Sequence, residues 1–161
     1  MMIKRIGKEE IAGCVKVIRE SFLTVADEFG FTALNAPRFT AFATTEERLN
    51  YQMDVERRFM YAYYDKDNIV GYYSLVLQDN NGCELSNLCV VSAYRHKGIG
   101  EELLKSAFDV ARSLNCTKMN IGIVEENKTL RQWYEAFGFV HTGTEKFDFF
   151  PFTCGYMEKE L

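Results

Sequence analysis

One run, Val90 to Gly100, reading Val-Val-Ser-Ala-Tyr-Arg-His-Lys-Gly-Ile-Gly, restricts what this chain can fold into more than any other. An apolar strand end leads into Arg95-x-x-Gly98-x-Gly100. Beyond it Ile99, Leu103, Ala107, Val110 and Leu114 recur on one helical face, widened by Leu104, Phe108 and Ala111. A strand that turns through glycines straight into a helix leaves the first helical N–H groups without partners, at the positive end of the dipole. Such a turn suits an anion, phosphate above all.

The spacing excludes two common phosphate motifs. A dinucleotide fingerprint needs a third glycine where Leu103 stands, and no lysine follows the glycines as a P-loop requires. Around the turn, periodicity predicts a first helix from Lys8 to about Phe22, an irregular or broken stretch over Leu23–Thr44, and a helix over Thr45–Val55 capped by Thr44 or Thr45. Phe59–Tyr64 and Ile69–Leu77 predict a hairpin about Asp65-Lys66-Asp67-Asn68. Asp79-Asn80-Asn81-Gly82 is a second turn, leading into the strand Cys83–Val91. Within that strand Leu85 and Leu88 are three apart while Leu88 and Val90 are two apart, so strict alternation fails near Ser86-Asn87, and a β-bulge reconciles the halves. The glycine-led helix should end at Asn115, before a strand over Lys118–Val124. Asn127 suits an N-cap for a helix carrying Leu130, Trp133, Tyr134 and Phe137, with Gly138 as its stop. Two last strands, about Phe139–Phe147 and Phe152–Lys159, flank a turn near Asp148–Pro151, which completes a mixed α/β order.

The turn within its neighbourhood resembles the pyrophosphate loop of the GNAT superfamily of acyl-CoA-dependent N-acyltransferases. Three further segments carry the resemblance: the strand Leu88-Cys89-Val90, Asn127 after the next strand, and Trp133-Tyr134-Glu135-Ala136-Phe137-Gly138-Phe139, which is similar to the family's aromatic-Tyr-x-x-x-Gly-Phe helix end. The matching segments lie between Glu84 and Phe139. The resemblance implies an α/β (α+β) GNAT fold over a single domain, residues 1–161: a mixed, mostly antiparallel sheet of about six or seven strands, splayed at a β-bulge and flanked by about four helices.

It also implies roles. Leu88, Cys89 and Val90 should offer backbone hydrogen bonds to the pantetheine arm of acetyl-CoA, much as a strand would. Arg95, His96, Lys97, Gly98, Ile99 and Gly100 should wrap its pyrophosphate, and Asn127 should contact the arm. Tyr134 should lie near the sulfur. A phenol (pKa about 10) holds its proton more tightly than a thiol (about 8.5), so Tyr134 can donate a hydrogen bond to the departing sulfur at neutral pH. Family members often carry a catalytic carboxylate on the bulged strand, which makes Glu84 the candidate base, directly or through water. Others use a glutamate on the following strand, where this chain has Gly122. A nucleophilic Cys89 is the alternative chemistry, and it lacks a paired base. His96 belongs to the loop, and His141 is structural or exposed.

Composition limits the partners. A net charge of -4 and a pI near 5.3 oppose a nucleic-acid surface. Five scattered cysteines without a C-x-x-C pair, and only two histidines, support neither a disulfide framework nor a metal site. The first residues lack a signal peptide's apolar region and no run is long enough to span a membrane, so a cytoplasmic setting is expected. The acceptor should be an amine, on a small molecule or on a peptide or protein. Aromatic segments Phe22–Phe31 and Phe147–Phe152 fall where the family usually forms its acceptor pocket, and Asp27, Glu28 and Asp148 offer negative charge there; the same rings can equally fill the core. A homodimer is left open. A catalytically silent acyl-CoA-binding sensor is the other function compatible with the loop.

Overall fold

The computed structural model describes all 161 residues, and its strand ladder explains why the site opens where it does. Seven strands form one sheet in the order β1-β2-β3-β4-β5-β7-β6. They are β1 (Met2–Arg5), β2 (Phe59–Asp65), β3 (Asn68–Gln78), β4 (Gly82–Val90), β5 (Lys118–Val124), β6 (Val140–Glu145) and β7 (Cys154–Glu160). The helices are α1 (Ile11–Phe29), the single turn α2 (Thr40–Ala43), α3 (Glu46–Asp54), α4 (Ile99–Ser113) and α5 (Lys128–Ala136). All neighbouring strands are antiparallel except β4 and β5.

The bulge lies at the expected place. Tyr72 pairs with Cys89, but Ser74 pairs with Ser86, so β4 carries one extra residue opposite Tyr73. Asn87 takes it up at φ 57, in the left-handed region that asparagine tolerates. Parity therefore reverses along β4. Before the bulge Cys83 and Leu85 join the core beneath α4; after it Leu88 and Val90 do so, while Cys89 turns to the layer of α1. A bulge also bends and twists its strand. β4 and β5 pair only over Gly82–Lys118, Cys83–Met119 and Glu84–Asn120 before they part, whereas β5 and β7 stay paired from Lys118 to Val124.

Two apolar layers hold the sheet. α4 buries Ile99, Leu103, Leu104, Ala107, Phe108 and Ala111 against one face. α1 and α3 cover the other with Ile11, Cys14, Val17, Ile18 and Leu49. A third cluster joins Ala26, Phe31, Phe39 and Phe152.

Several expectations are corrected. β1 is absent from the predicted order because an exposed edge strand of four residues, with only Ile3 half-buried, carries no alternation to read. α1 runs past Phe22 to Phe29, since Ala26 is fully buried and extends its apolar face, and Gly30 at φ 75 ends it. Elsewhere the local chemistry acts as predicted. Asn80 and Asn81, at φ 59 and 58, close the β3–β4 hairpin. Asn115 at φ 64 follows the end of α4. Thr45 caps α3 by accepting from the Arg48 N–H at 3.1 Å.

Candidate active site

The turn between β4 and α4 is built to present N–H groups. His96 (φ 62) and Gly98 (φ 83) are both left-handed, and alternation between the two hands aims successive N–H groups into one concavity. From His96 to Glu101 no backbone N–H has an acceptor within the protein; helical bonding starts at Glu102, which donates to the Gly98 carbonyl at 3.0 Å. Gly98 is required by its φ, since an added Cβ would meet nothing within 4 Å. Gly100 lies under the indole of Trp133, 3.6 Å from where its Cβ would be.

Arg95 serves this turn from the inside. Its Nε–H donates to the Val90 carbonyl at 2.9 Å and its Nη2 to the Ser21 carbonyl at 3.0 Å, so the guanidinium ties the turn to β4 and α1. Lys97 lies over the ring of Tyr94 at 5.2 Å, and Tyr94 donates to Asp65 at 2.7 Å. His96 is exposed.

Below the turn, the parting of β4 and β5 leaves a cleft of about 500 Å³ through the sheet. It brings together Glu84 and Leu88 from β4, Gly122 from β5 and Tyr134 from α5. Along β4 the Val91 N–H bonds to Val70 of β3, so the alternation of strand groups turns the Val90 N–H to the opposite, open edge. Tyr134 is buried, edge-on to Trp133 and Phe139, and its pKa is raised, first by that burial and then by the nearby Cys89. Its phenol therefore keeps its proton throughout the neutral range. Asn127 caps α5, accepting from the Leu130 N–H at 3.2 Å, and does not line the cleft. Cys89 faces the α1 layer, where burial pushes its thiol up to about 12. That environment offers no thiolate.

Glu84 is half-buried and accepts from the Ser86 hydroxyl at 3.0 Å. Ser86, Gln78, Asn120 and Tyr156 also line the cleft and are not singled out by the motifs. Ser86 had a readable signal, because two residues from Glu84 on a strand means the same face. Of the aromatic segments, Phe22 reaches the cleft, while Phe31 and Phe152 pack together at 4.8 Å between ring centres in the third cluster. Asp27, Glu28 and Asp148 are exposed and do not line it. His141 lies apart, its Nε2 at 2.8 Å from both carboxylate oxygens of Glu125. All five cysteines are free, no helix is long and apolar enough to cross a membrane, and no group of three His, Cys, Asp or Glu side chains is placed to hold a metal.

Residues 23–139 match the acetyltransferase (GNAT) family, a stretch that contains the bulged strand, the turn, α5 and, with Glu84, Gly122 and Tyr134, most of the cleft lining. The chain belongs to the GNAT acetyltransferase family. The GNAT chain is 22% identical over 147 residues to an N-acetyltransferase encoded in the pepI 3′ region of Lactobacillus delbrueckii subsp. lactis, covering 84% of this chain and 82% of the relative. In three dimensions it is similar to the PaiA N-acetyltransferase of Thermoplasma acidophilum in complex with coenzyme A, at TM-score 0.83 and 19% identity over 99% of this chain and 98% of the other. It is also similar to the ribosomal-protein-S18-alanine N-acetyltransferase of Escherichia coli, at TM-score 0.77 and 12% identity over 99% and 92%. The GNAT fold expected from the sequence, with its splayed and mostly antiparallel sheet, is the fold observed.

Proposed function

We propose that this GNAT domain, residues 1–161, transfers the acetyl group of acetyl-CoA to a primary amine by direct attack within a ternary complex. The observation that carries this reading is the one cleft that holds a carboxylate, Glu84, and a buried phenol, Tyr134, whose neighbour Trp133 packs over Gly100 of the turn with six unpartnered N–H groups. The turn fits a pyrophosphate: its N–H groups from His96 to Glu101 would hold the phosphate oxygens, while Arg95 keeps their geometry. The open edge of Leu88–Val90, unpaired beyond Glu84, would take the pantetheine amides, with Asn127 at the start of α5 along the arm.

In the reaction the neutral amine nitrogen attacks the thioester carbonyl, an N–C bond forms, and the carbonyl electrons move to oxygen. The Val90 N–H is aimed to stabilise that oxyanion. Glu84, directly or through water, takes the proton the nitrogen must lose. Collapse breaks the C–S bond, and Tyr134 donates a hydrogen bond to the leaving thiolate. Because the phenol holds its proton more tightly than a thiol, the thiolate is finally protonated at the expense of solvent. A cofactor sensor would need neither Glu84 nor Tyr134. The free thiols agree with a reducing, cytoplasmic setting.

Release of free thiol from acetyl-CoA tests the reading against monoamines, diamines, amino-acid amides and peptides with free N-termini. Acetylated product should form with at least one class. If thiol release is no faster with any amine than without, transfer to amines is wrong.

A further inference from the structure

Glu84 is held by a chain of two hydrogen bonds that starts outside every motif segment. Arg58, just before β2, donates from Nη1 to the Ser86 Oγ at 3.1 Å, and the Ser86 hydroxyl donates to Glu84 Oε1 at 3.0 Å. A guanidinium has no acceptor, so the direction is set. With a Ser86 lone pair taken by Arg58, its one proton is committed to the carboxylate. Arg58 is itself fixed: its Nε is 2.7 Å from Glu56 Oε1, its backbone N–H donates to the Gln52 carbonyl at 3.0 Å, and its side chain is only 15% exposed. To reach Ser86 from β2 it must pass β3, where the residue between Met60 and Ser86 in the cross-strand row is the small Ser74. Glu84 Oε2 has no partner in the protein.

We propose that Arg58 and Ser86 are positioning residues for the transfer, holding the Glu84 carboxylate so that Oε2 is presented to the amine or to the water that relays its proton. This rests on Glu84 acting as base. A glutamate has three side-chain torsions, and a base that samples them freely spends little time within reach of the nitrogen. Binding one oxygen through a donor that is itself anchored restricts that motion without blocking the second oxygen. The bulge contributes, since parity reverses only at Asn87 and so leaves Ser86 on the face of Glu84.

A double-mutant cycle tests the proposal, with kcat and KM measured for acetyl-CoA and butylamine, or for whichever panel amine releases thiol faster. Ser86→Ala should lower kcat about 10-fold, less than the roughly 100-fold or more that loss of a base costs, with KM for acetyl-CoA within about 2-fold. Ser86→Thr, which keeps the hydroxyl on a residue suited to a strand, should recover most of kcat. In a Glu84→Gln background Ser86→Ala should have little further effect. Arg58→Met should behave as Ser86→Ala does, and thermal unfolding of each variant verifies folding. If Glu84→Gln alone leaves kcat intact, the reading of Glu84 as base falls, and this inference with it. If Glu84→Gln is slow but Ser86→Ala is either silent or fully additive with it, only the positioning role is overturned.

Discussion

Arg95 folds back onto the strand it has just left, donating its Nε–H to the carbonyl of Val90 at 2.9 Å. The cation of the proposed pyrophosphate turn thus fixes the turn's own shape, with its Nη2 bound to the Ser21 carbonyl as well. Arg95→Ala should therefore lower stability by about 1.5–3 kcal/mol, the range for hydrogen bonds made by a charged group. It should also weaken coenzyme A binding. Arg95→Lys keeps the charge but cannot bridge two carbonyls in fixed directions, so it should rescue neither property fully. Calorimetric titration with coenzyme A decides the matter: full rescue of affinity by lysine would mean that charge on the phosphate, rather than loop shape, is what Arg95 supplies.

Gly98 provides the complementary case. At φ 83 with open space around it, Gly98→Ala introduces backbone strain of about 1–2 kcal/mol and no clash within the protein. The melting temperature should fall modestly. Coenzyme A affinity should fall at least about 10-fold, because a relaxed loop no longer aims its N–H groups together. Equal affinity for Gly98→Ala and the parent protein would remove the turn as the phosphate site.

Tyr134→Phe isolates the phenol's chemistry from its packing. The ring stays against Trp133 and Phe139, so folding and coenzyme A affinity should be nearly unchanged. Turnover should drop by about 10- to 100-fold, as for a lost hydrogen bond to a charged leaving group. Burial raises the phenol's pKa, so the alkaline limb of the parent enzyme's rate profile below pH 10 should not arise from Tyr134 and should persist in the variant. Unchanged turnover would assign Tyr134 to the core alone.

Cys89 lies one residue from two of the groups proposed to meet the thioester arm, yet its side chain is in the α1 layer. Cys89→Ala should keep turnover within about 3-fold, and initial-rate patterns should intersect as for a ternary complex rather than run parallel. Accumulation of an acetylated enzyme on mixing with acetyl-CoA alone, detected by mass spectrometry, would contradict direct transfer.

Buried thiols also set the protein's alkaline limit. Burial raises Cys14, Cys83 and Cys89 each from 9.0 to about 12. Between those values the unfolded chain has lost these protons while the folded chain retains them, so the native state binds more protons and stability falls as pH rises. The contribution is complete below pH 9 and is lost progressively toward pH 12. Melting temperatures should decline across that window, and less steeply in Cys89→Ala; a flat profile from pH 9 to 11 would show that these thiols do not stay protonated in the fold.

What the chain reveals locally and what it conceals divide along physical lines. The break in alternation at Ser86-Asn87 announces the bulge because a one-residue insertion reverses parity for everything after it. The stripe of α4, the Asn127 cap and the asparagine turn at residues 80 and 81 are equally local. β1 escapes because Met2–Arg5 is nearly all exposed, and the end of α1 escapes because alanine at 26 is a weak apolar signal until its neighbours are known.

By itself, then, the sequence determined the elements from β2 onward, the bulge and the glycine turn, since each depends on spacing within one strand, turn or helix, while Glu84, Tyr134 and Asn127 were marked by the resemblance to the family. Only the tertiary structure decided that β4 and β5 part after Glu84, that Arg95 points inward, that Cys89 lies in the opposite layer, and that Arg58 reaches Ser86 across 28 residues of chain. Each of those outcomes depends on which groups distant in the chain meet across strands or between a helix and the turn. Strand pairing and helix packing set such meetings, and spacing along the chain does not.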